Sequence, residues 1–262
     1  MKMMVESKEL FFAEVGSGRP VVLVHGYPLN HTLWDPQMLG LASAAQVLAP
    51  DLWGFGESQP VAQADVGTYA DLVRALLDER GINEPVVIGG LSMGGYVVFE
   101  FFRRYANRVA GIILANTKAG PDSAEGKAGR DQSAALAREK GVAAITAAML
   151  PKLLAPVTYG TSPELVARVE HMLNRSTEEG IVAALGAMRD RPDSTPTLQW
   201  IDRPTLVIAG DDDQLFPQTE PRKMAGEIRG ARLEMLPAAG HLSNLEQPEL
   251  FNRAVREFLS GL

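Results

Sequence analysis

Gly90-Leu91-Ser92-Met93-Gly94 is the segment of this chain best suited to chemistry. It sets a serine among small residues, after a β-branched apolar run at 85–89 (PVVIG) and ahead of a helical pattern at 93–105. A strand that turns sharply into a helix lifts the serine hydroxyl clear of the sheet. Gly90, Gly94 and Gly95 leave room for the backbone to fold against itself. A plainer reading makes Ser92 only the cap of that helix. The strand–turn–helix context favours a nucleophile.

A serine hydroxyl attacks poorly until a base takes its proton. The chain has four histidines, His25, His31, His171 and His241. His241 lies in Ala239-Gly240-His241-Leu242-Ser243-Asn244, between the last expected strand and the last expected helix, where such sheets place reactive groups. His171 reads as a surface residue, and His25 as a structural one holding the loop after its strand. A carboxylate is needed to orient the base, and Asp211, Asp212 and Asp213 all follow the run at 204–209. Any one of them fits, the others then being solvated or capping the turn. Three adjacent aspartates as a metal site is the remaining alternative, disfavoured because consecutive side chains diverge and no histidine is near in sequence.

An oxyanion formed on attack needs N–H donors. The backbone N–H of Met93 opens a helix beside Ser92, and that of Tyr27 lies in His25-Gly26-Tyr27-Pro28 after an expected strand. Pro28 has no N–H to offer, which leaves Tyr27 as the second donor, its phenol being a further possible contact. No dinucleotide fingerprint, phosphate loop or H-E-x-x-H motif occurs, and no cofactor or metal is implied.

The elements that must position these residues alternate along the first half of the chain. Strands are expected at 20–25, 46–50, 85–89 and 109–115, and an edge hairpin includes 10–15. Helices are expected at 68–80, capped by Thr68 and ended by Gly81, and at 93–105. The spacing predicts an α/β fold with a mostly parallel sheet covered on both faces. Residues 120–197 carry only helical patterns, at 132–140, 142–150, 163–174 and 177–189, and read as an inserted helical cap. Strands then return at 204–209 and 232–236 before a closing helix at 248–259. The division is therefore a core at 1–118 and 198–262 with a cap at 119–197.

Bulk composition narrows the function. The net charge of −7 repels phosphate backbones and anionic lipid, so neither nucleic acid nor a membrane is an expected partner. There is no cysteine, which removes disulfides, thiolate metal sites and a thiol nucleophile together and suits a cytoplasmic location. Residues 1–10 lack the apolar segment of a secretory leader, and four glycines with Glu100 interrupt the apolar stretch at 85–102.

Taken in order, five motifs resemble the α/β-hydrolase superfamily across essentially the whole chain. They are His25-Gly26-Tyr27-Pro28, Asp51-Leu52-Trp53-Gly54-Phe55-Gly56-Glu57-Ser58, Gly90 to Gly94, Gly210-x-x-Asp213-x-x-x-Pro217 and Gly240-His241. The fourth match is what selects Asp213 from its neighbours. Gly89 to Tyr96, Arg191-Pro192-Asp193-Ser194-Thr195 and His241 to Pro248 are similar to bacterial carboxylesterases and 3-oxoadipate enol-lactonases. Aspartate-nucleophile members of the fold are excluded by Ser92. The resemblance implies acyl transfer by Ser92, His241 and Asp213, on small, fairly apolar esters, with Met149, Met172 and Met188 as candidate pocket lining or plain core. A lactonase would need a cation for its substrate carboxylate, with Lys118, Lys127 and Arg130 as candidates. A slow hydrolase-like receptor is the third reading. Turnover by a neutral imidazole should rise through the ordinary histidine range, near 6.5.

Overall fold

The computed structural model describes every residue of the chain except Glu6. Two antiparallel strands come first, β1 (Lys2–Val5) and β2 (Lys8–Val15), followed by β3 (Pro20–Val24), α1 (Asp35–Leu41) and β4 (Gln46–Pro50). Next come α2 (Val66–Glu79), β5 (Val86–Leu91), α3 (Met93–Tyr105) and β6 (Val109–Ala115). A helical block separates β6 from the rest of the sheet: α4 (Ala124–Met149), α5 (Thr158–Thr161), α6 (Pro163–Leu173), α7 (Glu178–Arg189) and α8 (Thr195–Leu198). The chain then returns through β7 (Thr205–Gly210), α9 (Thr219–Glu227), β8 (Arg232–Leu236), α10 (Ser243–Glu246) and α11 (Pro248–Ser260).

The eight strands form one sheet in the order β1-β2-β4-β3-β5-β6-β7-β8. Only the β1–β2 and β2–β4 pairs are antiparallel; the five pairs from β4 to β8 are parallel. Parallel strands need crossovers, and the helices that make them bury the sheet on both sides. Alternation along each strand shows it. Val22, Val24, Ile88, Ile112, Leu114 and Val207 join the core under α2, α3 and α9, which contribute Leu72, Val97 and Met224. Their sequence neighbours Val21, Leu23, Val87, Ile113, Leu206 and Ile208 join the core under α1 and α11, with Met38, Leu41, Phe251 and Val255.

Local chemistry adjusts several expected boundaries. Thr68 does not cap α2. Asp65 does, accepting the Thr68 N–H at 2.6 Å, and Thr68 returns its hydroxyl to the Asp65 N–H, closing a reciprocal box. The helical patterns at 132–140 and 142–150 belong to one long element that begins at Ala124, where Ser123 caps it, and breaks at Gly141 (φ 72°, ψ −175°). Among the described residues no helix is long and apolar enough to cross a membrane.

The helical block is tied to the sheet by backbone as well as side chains. Gly54 (φ 85°) packs on Gly180 of α7, so closely that a Cβ on Gly54 would fall 2.3 Å from the Gly180 Cα. Thr177, the N-cap of α7, donates both its N–H and its hydroxyl to the Gly54 carbonyl. At the other end of the block, the Arg191 guanidinium is buried on Asp122 (2.9 Å), the Gly120 and Met188 carbonyls and the face of Tyr96 (4.0 Å). Burial alone would raise the Asp122 pKa. The hydrogen bond from Arg191 and the charges of Arg130 and Arg191 outweigh it and hold the carboxyl at about 2.

Candidate active site

Ser92 occupies the junction of β5 and α3 with φ 55° and ψ −114°, a strained conformation for a residue with a Cβ. The surrounding sequence permits it. A Cβ on Gly90 would fall 2.2 Å from the Gly94 carbonyl carbon, and one on Gly94 would fall 2.2 Å from the Val24 oxygen. The turn is therefore closed against itself and against the end of β3. Ser92 makes no side-chain capping bond to α3, so its hydroxyl is not spent on the helix.

His241 and Asp213 come together at the ends of β8 and β7. The imidazole Nδ1 lies 2.9 Å from Asp213 Oδ2 and 3.1 Å from Oδ1, with both side chains almost wholly buried. An ionised carboxylate only accepts, so Nδ1 carries a proton, and in the neutral ring Nε2 is the atom left with a lone pair. Asp213 also accepts the Leu215 and Phe216 N–H groups on Oδ1 and the Asn116 amide on Oδ2. Burial pushes its pKa up, but the His241 charge and these hydrogen bonds reverse that and leave it below the usual carboxylate range. Of the other two aspartates, Asp212 is exposed and Asp211 is half-buried; neither bonds to a histidine. Among the described residues no three carboxylates or imidazoles gather to hold a metal.

Two residues at the end of β6 bridge the halves of the site. Thr117 donates its hydroxyl to the Ser92 carbonyl at 2.7 Å. Asn116, in the left-handed region at φ 42°, donates to both Asp213 and the Gly240 carbonyl and accepts from Ser243 at 2.5 Å. Sequence reading passed over Asn116, Thr117 and Ser243. The available signal was an asparagine directly after a buried strand, where its tolerance of positive φ makes a turn.

The loop after β3 brings Tyr27 beside this turn. A Cβ on Gly26 would sit 3.2 Å from the Ser92 Cβ. Met93 begins α3, so its N–H has no partner within the helix, and among the described loop bonds none takes the Tyr27 N–H. The Tyr27–Pro28 peptide is cis. The Tyr27 ring packs edge-on against Phe55, and its buried phenol has no partner among the described residues.

His25 holds that loop. Its Nδ1 bonds the Gly26 carbonyl at 2.8 Å and its Nε2 accepts the Leu52 N–H at 3.0 Å, a pattern that requires a neutral ring. Burial pushes its pKa from 6.5 to about 4. Between those values the unfolded chain binds a proton that the folded one refuses, so this stabilisation is complete above about 6.5 and is lost as pH falls toward 4. The full loss is about 3 kcal/mol. Urea denaturation at several pH values should show the His25→Gln variant with a shallower decline over this window than the native protein. Equal slopes would rule the assignment out.

Asp51, in the following loop, accepts the His31 N–H and ring nitrogen and the Glu57 N–H, while Ser58 donates to its carbonyl. That loop is a scaffold for Tyr27 and Gly54. His171 is an exposed residue of α6. The three methionines do not converge. Met188 is buried in one core layer and Met172 in the other, and half-buried Met149 touches both. A surface cleft of about 530 Å³ between residues 62–65, α4 and α7 includes Arg130 but none of Ser92, Asp213 or His241.

The cations near the site differ in placement. Lys118 lies 5.7 Å over the Phe216 ring, and that ring packs edge-on against His241 at 5.2 Å. Lys118 (3.5 Å) and Arg130 (3.1 Å) share Asp122 with Arg191, whereas Lys127 is exposed.

The chain belongs to the α/β-hydrolase fold family, whose model matches residues 19–248. Among individual proteins, it is 32% identical to 3-oxoadipate enol-lactonase 2 of Acinetobacter baylyi over 86% of this chain and 83% of that one. It is similar in structure to a thermophilic esterase from Thermogutta terrifontis, solved with malate bound (TM-score 0.95, 40% identity, 99% of this chain and 96% of that one). It is also similar to the enol-lactonase of Burkholderia xenovorans LB400 (TM-score 0.92, 28% identity, 99% of this chain and all of that one, 100%). The fold is that of a hydrolase with esterase and enol-lactonase neighbours.

Proposed function

We propose that this protein is a serine hydrolase that cleaves small carboxylic esters through an acyl-enzyme on Ser92. The observation that carries the reading is an uncapped serine on a strained strand-to-helix turn, linked through Thr117 and Asn116 to an imidazole oriented by a buried carboxylate. Ser92 Oγ attacks the ester carbonyl as His241 Nε2 takes its proton, and Asp213 stabilises the imidazolium through Nδ1–H. The Met93 and Tyr27 N–H groups receive the oxyanion. His241 then protonates the leaving alcohol, and a water molecule, deprotonated by the same nitrogen, releases the acid. Residues 119–197 act as the cap over this chemistry, with a small-molecule substrate as the partner and a cytoplasmic location.

The test is a chain-length series of p-nitrophenyl esters given to the native protein. Turnover concentrated on short acyl chains is expected; no turnover across the series would overturn the esterase reading. The acid limb of kcat/KM supplies a second check. Burial holds His25 neutral down to about 4 and Asp213 stays ionised below the usual carboxylate range, so neither should add to the acid limb above about pH 5. The limb should have unit slope, and a slope of two would show a second essential group.

One observation favours a lactonase specificity on the same machinery. Lys118 stands over the aromatic ring that touches His241, where it could pair with a substrate carboxylate. In that case Lys118→Ala should raise KM for a carboxylate-bearing lactone about tenfold, the loss of one charge-assisted hydrogen bond, and leave a neutral ester unchanged. A lactone KM that Lys118→Ala leaves unchanged, or shifts no more than that of the neutral ester, would remove the lactonase reading.

A further inference from the structure

Glu246 ends α10, five positions beyond His241, and its side chain turns back into the protein. Its Oε2 accepts the Gly240 N–H at 2.6 Å. Its Oε1 accepts the Ala155 N–H at 2.8 Å and the Thr158 hydroxyl at 2.5 Å. Gly240 immediately precedes His241, whereas Ala155 and Thr158 belong to the helical block between β6 and β7. On the other side of the imidazole, the Leu242 N–H donates to the Leu153 carbonyl at 3.0 Å. The two backbones touch directly here, since a Cβ on Gly240 would fall 2.4 Å from the Ala155 nitrogen.

The residues on either side of His241, Gly240 and Leu242, are thus fastened through their N–H groups to residues 153–158, and Glu246 is the fastener on the Gly240 side. Only a carboxylate can serve all three donors. In a carboxamide one end becomes a donor itself, so at least one backbone N–H loses its acceptor whichever way the group is turned. The charge is also held at a cost. Burial raises the Glu246 pKa, nearby Asp212 adds to the shift, and its three partners are neutral donors. A fastening that served stability alone would not need a charge taken partly out of water.

We propose that Glu246 is a positioning residue for His241, locking Gly240 to the 153–158 segment so that the seat of the helical block fixes where the imidazole stands. The inference rests on His241 being the base of the proposed reaction, and its test has one arm that needs no substrate. In Glu246→Gln, measured well below its melting temperature and normalised by phosphonate titration of Ser92, kcat should fall about 30- to 100-fold with KM within about threefold, as expected for a base displaced by a fraction of an ångström to an ångström. In the same variant the downfield proton resonance of His241 Nδ1–H, bonded to Asp213, should shift or broaden. Thr158→Val removes only the block-side hydroxyl and should move both readouts in the same direction by less; it decides the matter if Glu246→Gln fails to fold. A lower melting temperature with kcat and the resonance unchanged would make Glu246 a simple anchor and overturn the proposal. If native protein turns over no ester, that counts against the esterase reading, and the resonance alone decides the role of Glu246.

Discussion

Ser92→Ala is expected to lower kcat/KM for a p-nitrophenyl ester by at least about three orders of magnitude, equivalent to about 4 kcal/mol of transition-state stabilisation. The loss is set by the absence of any other nucleophile on that turn. Met93 and Leu91 flank Ser92, and the neighbouring Thr117 hydroxyl donates to the Ser92 carbonyl. Stability should hardly change. The hydroxyl caps nothing, and alanine meets the same positive φ that serine already bears. Melting temperature and activity therefore separate in this variant. Retained turnover with unchanged folding would mean that the reaction does not pass through Ser92.

Asp213→Asn should cost about three to four orders of magnitude in kcat at neutral pH, for a reason written in its hydrogen bonds. Oδ1 accepts two backbone N–H groups, from Leu215 and Phe216, so the carbonyl end of an asparagine is drawn to that side. The NH2 end then faces His241 and Asn116 in place of Oδ2. An amide donor against Nδ1 forces the proton onto Nε2, and the imidazole can no longer take one from Ser92. Nitrogen NMR of the labelled imidazole would report the tautomer directly. A variant that keeps the Nδ1–H tautomer and loses activity all the same would place the carboxylate's contribution in charge and not in orientation.

Much of this arrangement was legible in residue type and order. A serine between glycines after a β-branched run, a histidine before the final helix and an aspartate after a late strand each stand at the carboxyl edge of a parallel sheet. Hydrophobic runs such as Val21–Val24 also announced strands buried on both faces. What escaped notice depends on tertiary contact. α1 and α9 offer short or weakly amphipathic patterns, and each finds its place through a few buried residues such as Met38 and Met224. Thr68 is an ordinary capping residue by type, yet Asp65 three positions earlier takes the role because its carboxylate reaches the Thr68 N–H. Asn116 is a polar residue of no special pattern, and Ser243 and Glu246 lie in a stretch that carries the family resemblance yet show no role of their own until β6, the base loop and the helical block are brought together.

The meeting of Gly54 and Gly180 sets a rule for remodelling this protein. No side chain stands between the two backbones, and any methyl there would have to displace main chain. Chimeras that exchange the helical block with another member of the family would need donor segments carrying a threonine and a glycine in the register of Thr177 and Gly180. Between Asp122 and Asn174, residues 153–158 are held to the base loop, so new substrate preferences are best sought in the rest of that stretch, upstream of the Gly54–Gly180 junction.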